Sequence, residues 1–479
     1  MKTSLTIEKL TPVLATIAKA NDEFDSFYPG ESNARQAIHT VYGGAQIFKA
    51  ETAERLGQLA MRSLEENAPD FVKFAKALHL KGSDSFPETD ADIATLASSL
   101  KKNTDGARKK NPDAWLAYTV YERVVNKLKT EALEDFRIDF EDGYGNRPDA
   151  EEDSDAERTA LEVAKGMREG TLSPFIGIRI KPFTKELAKR SLRTLDIFLT
   201  TLLNETSGKL PDNFVVTIPK IVSVDEVEAF VSVLEAIEEA NNLETGTIKL
   251  ELMIETPQSL IDRNGRILLS QLIPASKGRC VGAHFGVYDY TAQVNITADY
   301  QSMDHPACDF ARHMMKVSFA GTGINISDGA TNIMPVGPHR AEKGKTLTPS
   351  QNQQNKEVVH RAWRIMFDHV NHSLKHGYYQ GWDLHPAQFP IRYATVYLFF
   401  LRNLEEATLR LKTFVERAAQ ATLVGDVFDD AATGQGLLNY FLRGYNCGAI
   451  TLEEIEATGL TLEEIQGRSF VKILEKRRK

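Results

Sequence analysis

Short apolar runs alternate with longer amphipathic stretches through the middle of the chain, and several runs end in a group able to do chemistry. The runs DFRIDFED (135–142), FIGIRI (175–180), FVVTIPK (214–220), IKLELMIE (248–255) and CVGAHFGVYD (280–289) finish at Glu141/Asp142, Arg179, Lys220, Glu255 and Asp289. Apolar runs of this length predict buried strands. With AIHTVYGG, GINISDG and GWDLHP added, eight strands are predicted, at 38–42, 136–141, 175–180, 214–219, 248–255, 280–287, 324–328 and 381–385. Apolar residues at helical spacing predict intervening helices near 154–169, 184–204, 224–241 and 354–376, with another opening near Pro257. Asp225 and Glu226 in the first turn of the third of these suit a helix dipole.

Strand and helix in alternation imply a parallel sheet, and eight units imply closure into a TIM (β/α)8 barrel. The alternative, an open doubly wound sheet, usually carries a glycine-rich phosphate loop after its first strand, and VYGGAQIF (41–48) is not GxGxxG. Strand C-termini in a parallel barrel share one face, where active sites are built. The expected organisation is an N-terminal helical segment (1–36), a barrel domain (37–400) and a C-terminal helical extension (401–479). Within the barrel, 52–134 reads as an insertion with helices at 49–68 and 114–133; 69–113 is less regular, and its polar, Gly- and Pro-broken part 81–113 reads as an insertion or exposed loops. The extension opens with a helix near 395–420 and contains TLEEI twice, at 451–455 and 461–465. Each copy sets Thr three residues before Glu, the capping-box spacing, and predicts a short capped helix.

Composition narrows the function classes. Across 479 residues the formal net charge is -9, with 42% hydrophobic and 26% charged residues, which suits a globular protein and argues against nucleic acid as the main partner. The basic end KRRK (476–479) reads as a solvated tail. No stretch approaches the ~18 apolar residues of a membrane span. MKTSLTIEKL carries Glu8 and Lys9 where a secretory signal needs an apolar core. Cys280, Cys308 and Cys447 are too few and scattered for a disulfide framework. The expected compartment is the cytoplasm.

Glu255 and Asp289 close consecutive strands, and two carboxylates so placed suit Mg²⁺ or Mn²⁺, which take oxygen ligands; the alternative is a helix cap or surface carboxylate. Arg179 falls where alternation points it inward, to bind a substrate carboxylate or enolate or to pair with Glu141 or Asp142. Glu141 and Asp142 suit a general base or groups holding metal-bound waters, or a simple Asp-Gly turn. Lys220 suits a Schiff base, or neutralisation of the neighbouring acids. His385 is a candidate substrate ligand or proton carrier. His284, in a strand body, and Asp328, in an expected Asp-Gly turn, are weaker candidates.

The order of these motifs resembles the citrate lyase β-subunit/malyl-CoA lyase branch of the HpcH/HpaI-type aldolase superfamily, barrels of the phosphoenolpyruvate/pyruvate class. The matching segments are Asp139-FED, Ile178-Arg179-Ile180, Ile218-Pro219-Lys220, Met253-Ile254-Glu255-Thr256, Phe285-Gly286-Val287-Tyr288-Asp289, Ile326-Ser327-Asp328-Gly329 and Leu384-His385-Pro386-Ala387-Gln388. The resemblance implies Mg²⁺ at Glu255 and Asp289, Arg179 on a substrate oxygen, and Glu141 and Asp142 around the metal's water. It puts Gly286 and His385 beside substrate. The chain departs from the pattern at HTVYGG (39–44), at Lys181 where the family has Asn, and in its added length. The expected activity is metal-dependent carbon–carbon bond cleavage or formation through an enolate, on a 2-oxo acid or a 3-hydroxyacyl compound such as an acyl thioester. The alternatives are a Schiff-base aldolase using Lys220 and a non-catalytic metal- or metabolite-binding barrel. Packing of terminal helices into a homo-oligomer is also expected.

Overall fold

A computed structural model describes residues 4–102, 104–342, 344–417, 422–424, 427–429, 431–467 and 473. Eight parallel strands, each paired with the next in the chain, close into a barrel. They are β1 (His39–Gly44), β2 (Asp135–Asp139), β3 (Phe175–Arg179), β4 (Phe214–Ile218), β5 (Lys249–Ile254), β6 (Cys280–Phe285), β7 (Asn325–Ala330) and β8 (Gln380–Trp382). Closure is made by His39 and Thr40 of β1 pairing with Gly381 and Trp382 of β8. All eight predicted strands are present, with ends shifted by at most three residues. The shift matters at β8, which stops at Trp382, so that His385 lies in the turn beyond it. It also matters at β7, where Asp328 is a buried strand residue rather than part of an Asp-Gly turn.

Side-chain alternation divides the barrel sharply. Phe136, Ile138, Ile176, Ile178, Val216, Leu250, Leu252, Ile254 and Ala283 are buried in the apolar core shared with the surrounding helices. Each such Leu, Ile or Phe is worth about 1.5–3 kcal/mol of burial. The alternate positions face the lumen and are mostly polar. Arg137 donates from Nε and Nη2 to Glu251 at 2.9 and 2.7 Å and also bonds Asp135. Thr217 donates to the same Glu251 at 3.0 Å. Trp382 Nε1 donates to His284 Nδ1 at 2.9 Å, so the other ring nitrogen, 3.2 Å from Glu251, carries the proton. Asp135 accepts from Thr40, which accepts from Gln380, which in turn accepts from Gln36. Gly282 makes room for this network, since a Cβ there would meet Glu251 Oε1 at 3.0 Å. Burial opposes the charge on Glu251, but Arg137 and His284 outweigh it and hold its carboxyl well below the usual range. His284 thus serves the interior network.

Helices cover the barrel where the apolar spacing predicts them, at Asp149–Glu169, Ala188–Glu205, Val224–Ala240 and Pro349–Lys375. The helix opened by Pro257 is a single turn, Pro257–Leu260. Ser223 and Thr348 cap two of these helices by accepting from the backbone N–H three residues on. Of the two readings of 81–113, exposed loops are corrected: it forms helices at Asp90–Lys102 and Thr104–Lys110, and the less regular stretch before it forms Phe71–Ala77. Phe71, Phe74, Ile93 and Leu100 are buried at helical spacing, and tertiary burial overrides the local Gly and Pro breakers. The predicted 395–420 helix is two, Phe389–Arg402 and Leu404–Glu416. Both TLEEI copies form short helices with complete capping boxes, on Thr451/Glu454 and Thr461/Glu464. The KRRK end lies outside the described residues. No helix among the described residues is long and apolar enough to cross a membrane.

Removing one partner of a buried ion pair strands the other. Arg137→Met leaves Glu251 and Asp135 without their cation and is expected to lower stability by about 3–5 kcal/mol, measured by urea unfolding. An unchanged midpoint would show that the lumen network does not hold the barrel.

Candidate active site

The C-terminal ends of β2 to β6 converge on one group of charges. β2 runs into Glu141 and Asp142, β3 ends at Arg179, β4 is followed by Lys220, β5 by Glu255, and β6 by a helix (Val287–Gln293) with Asp289 in its first turn. Lys220 is the hub. Its ammonium lies 2.5 Å from Glu141 and 3.5 Å from both Asp142 and Asp289. Its backbone N–H donates to Glu255 Oε1 at 2.7 Å. Both contacts depend on a left-handed backbone at Lys220 (φ 52°), a conformation that costs a non-glycine residue of order 1 kcal/mol. Gly286 is required where it stands, because a Cβ there would lie 2.4 Å from Glu255 Cβ.

Arg179 is buried, and its main partner is one that spacing did not suggest. Asp139 accepts from Nε and Nη2 at 2.7 and 2.6 Å in a fork-to-fork pair, and also accepts from the backbone N–H groups of Glu141 and Gly143. Glu141 Oε2 sits 3.1 Å from Nη1, and Asp142 Oδ2 3.9 Å from Nη2. The Tyr42 ring covers the guanidinium, 4.7 Å from its centroid. The signal for Asp139 was present in DFRIDFED: alternation puts Asp135, Arg137 and Asp139 on one face.

Five carboxylates, those of Asp139, Glu141, Asp142, Glu255 and Asp289, therefore share two cations, Arg179 and Lys220. Asp139 fully engages one edge of Arg179, so the remaining acids exceed the positive charge available to them. Burial, reinforced by Glu141, pushes the Glu255 carboxyl up to about 8. Among the described residues the buried Glu141 Oε2 accepts no hydrogen bond and has only the ion-pair contact to Arg179. Burial would lower the Lys220 pKa, but Glu255 and Glu141 outweigh it and hold the amine protonated, above its usual range. A negative excess carried entirely by oxygen donors fits a hard divalent cation such as Mg²⁺ or Mn²⁺. Glu255 and Asp289 are the residues that would hold it, with Glu141 beside them.

His385 stands apart from this group. Its Nδ1 accepts from Ala387 N–H at 3.1 Å and caps the turn Pro386–Gln388, which leaves Nε2 as the protonated nitrogen. Burial lowers its pKa. Among the described residues no hydrogen bond or ion pair joins it to Glu255, Asp289 or Arg179. Asp328 is likewise engaged elsewhere, by Arg312 and Ser373.

The raised Glu255 pKa has a defined consequence for stability. The folded state holds this proton up to about pH 8, whereas the unfolded chain releases it near pH ~4.3. Its contribution is full below the lower value and is lost as pH rises through the upper one. With divalent cations chelated, Glu255→Gln should therefore melt above the parent at pH 8, the difference shrinking toward pH 5. Parallel pH profiles would show that Glu255 is not held protonated.

A citrate lyase from Burkholderia xenovorans LB400 has a similar fold, with TM-score 0.51 at 16% sequence identity over 72% of this chain and 93% of that one. Malate synthase of Haloferax volcanii, in a lead(II) complex, aligns with TM-score 0.40 at 13% identity over 71% of this chain and 88% of that one. CitE of Mycobacterium tuberculosis, in complex with magnesium, acetoacetate and coenzyme A, aligns with TM-score 0.41 at 16% identity over 68% and 94%. At 16% identity the likeness to the citrate lyase is one of fold. No curated protein matches the chain in sequence. Residues 17–473 match the family described as Domain of unknown function (DUF6986), and the chain belongs to that family.

Proposed function

We propose that the protein is a divalent-metal-dependent carbon–carbon lyase or aldolase acting on a 2-oxo acid or a 3-hydroxyacyl compound, acyl thioesters included. One observation carries the reading: an excess of carboxylates around Lys220 at the barrel's C-terminal face, beside a buried arginine clamped in place. The motif order and the barrel shared with a citrate lyase support it. A Mg²⁺ or Mn²⁺ ion held by Glu255 and Asp289 would supply Lewis-acid stabilisation of a developing oxyanion.

The chain's own residues divide the remaining work. Asp139 fixes the plane of Arg179 by occupying Nε and Nη2, which leaves Nη1, now facing Glu141, to meet a substrate carboxylate or enolate oxygen. Tyr42 covers the guanidinium and keeps water from that face. Lys220 orients Glu141 through its ammonium and Glu255 through its backbone N–H, which makes it a positioning residue. Glu141 and Asp142 are assigned to hold water around the site, or to act as the general base. His385, neutral with its proton on Nε2, is in this proposal a hydrogen-bond donor to a substrate oxygen. Gly286 lets the Glu255 side chain pack directly against the backbone after β6.

The Schiff-base reading fares worse. A nucleophilic lysine must be free of its proton, and Lys220 is held charged by the acids around it. The two routes separate experimentally. EDTA should abolish activity, and borohydride with substrate should leave Lys220 unmodified; a trapped lysine adduct would reverse the assignment.

Proton exchange at the methyl group of pyruvate and other 2-oxo acids, followed by NMR in D₂O, is the direct test. The parent chain should exchange with Mg²⁺ or Mn²⁺ present, and Glu255→Ala and Asp289→Ala should lose both metal binding and exchange. Arg179→Lys should retain the metal and lose on the order of 10²–10³ in rate. Metal binding without exchange on any 2-oxo acid or acyl thioester would instead assign a non-catalytic, metabolite-binding barrel.

A further inference from the structure

A second group of potential ligands lies outside the barrel, between two neighbouring helices and away from the carboxylates around Lys220. Helix Pro306–Phe319 carries Asp309 and, one turn on, His313; helix Pro349–Lys375 carries His372, with His376 at its C-cap. Residues four apart share one helix face, so each helix presents a pair to the other. One ligand-capable atom from each of Asp309, His372 and His376 lies within 4.8 Å of the other two. The His372 and His376 ring centroids are 4.4 Å apart, and the His313 ring is 5.3 Å from that of His376.

We propose that Asp309, His372 and His376 form a site for a borderline divalent transition ion, Zn²⁺ being the best fit, with the His313 ring next to that of His376. The donor set is mixed imidazole and carboxylate, which selects Zn²⁺ and its neighbours over the Mg²⁺ suited to an all-oxygen cluster. The arrangement of hydrogen bonds is that of a prepared site. His376 Nδ1 donates to the His372 carbonyl at 2.8 Å, which leaves the Nε2 lone pair of His376 without a partner among the described residues. Arg312 donates to Asp309 Oδ1 at 2.8 Å and orients the carboxylate, while its Nε is taken up by Asp328 at 2.8–2.9 Å. His372 Nε2 already meets Asp309 Oδ1 at 2.7 Å, and the ion would replace the proton they share. Zinc–ligand bonds of about 2.1 Å put tetrahedral ligand atoms roughly 3.4 Å apart, so the cluster need close by only about an ångström. Asp309 and His372 are each 28% exposed at the side chain, so the ion has a path in from solvent. Bound there, it would tie the two helices together and, through Arg312 and Asp328, brace them against β7.

The test is equilibrium dialysis of the full chain with Zn²⁺ after EDTA treatment, in a Glu255→Ala/Asp289→Ala background that removes the barrel's acidic pair. One Zn²⁺ per chain is expected, with Co²⁺ in its place giving visible d–d bands of a nitrogen- and oxygen-ligated ion. Asp309→Asn, His372→Gln and His376→Gln should each weaken binding at least about tenfold, since even outer-shell losses cost that much. Zn²⁺ should raise the melting temperature of the parent and not of His376→Gln. These side chains are only partly buried, and matching far-UV circular dichroism would show that the variants fold. Failure of the double-variant background to bind Zn²⁺ would overturn the proposal, as would binding unaffected by His376→Gln. Neither result touches the reading of the barrel site.

Discussion

A charge moved from water into a protein interior costs several kcal/mol unless a partner waits for it, and this barrel fills its lumen with such charges. Arg137 and Arg179 make that possible. Arg137 ties together Asp135 and Glu251 across the barrel, and Arg179 closes over Asp139 near the rim. The two guanidinium groups come from β2 and β3, and their partners from β2 and β5. Strand positions and lumen charges therefore specify each other. The apolar sides of the same strands contribute the burial energy, while the lumen side selects which arrangement of strands can exist.

Toward the C-terminal face the pairing becomes incomplete, and the chemistry follows from that. Lower in the lumen every carboxylate has its hydrogen-bonding complement, and Glu251 is held ionised by three elements at once. At the rim, Lys220 is shared among Glu141, Asp142 and Asp289, and Glu255 receives only a backbone N–H. The same residue types thus behave oppositely within one barrel: a buried acid paired with Arg137 and His284 stays charged, and a buried acid set beside other acids keeps its proton. A site built on such a shortage attracts a cation without needing a cage made for one.

Much of this was legible in the chain. Eight apolar runs separated by helical spacing identified the barrel, and the residues at their ends identified the cluster, because strand direction alone carries Glu141, Arg179, Lys220, Glu255 and Asp289 to one face. What could not be read was pairing. Nothing in FIGIRI says that Arg179 meets Asp139 before Glu141, since the choice depends on the stagger between β2 and β3, where Asp139 sits beside Arg179. His284 looked like a candidate ligand until its register placed it opposite Ser327 and within reach of Trp382 and Glu251. The helices within 81–113 were hidden for another reason: local Gly and Pro signals say nothing of the burial that Ile93 and Leu100 find in the core. The ligand-bearing turns at Asp309 and His372 were silent in sequence because neither helix carries the grouping alone.

The division of each strand into an apolar outer row and a charged inner row also bears on how the chain reaches its fold. In a barrel lined by hydrocarbon on both sides, a strand offset by one residue exchanges one apolar row for another, and the mistake can persist. Here the same slip in β2 would drive Asp135, Arg137 and Asp139 in among the helices and expose Phe136 and Ile138 to a polar lumen. Misaligned intermediates are thereby made unstable at the moment they form, and the charges inside the barrel act as a proofreading device during assembly.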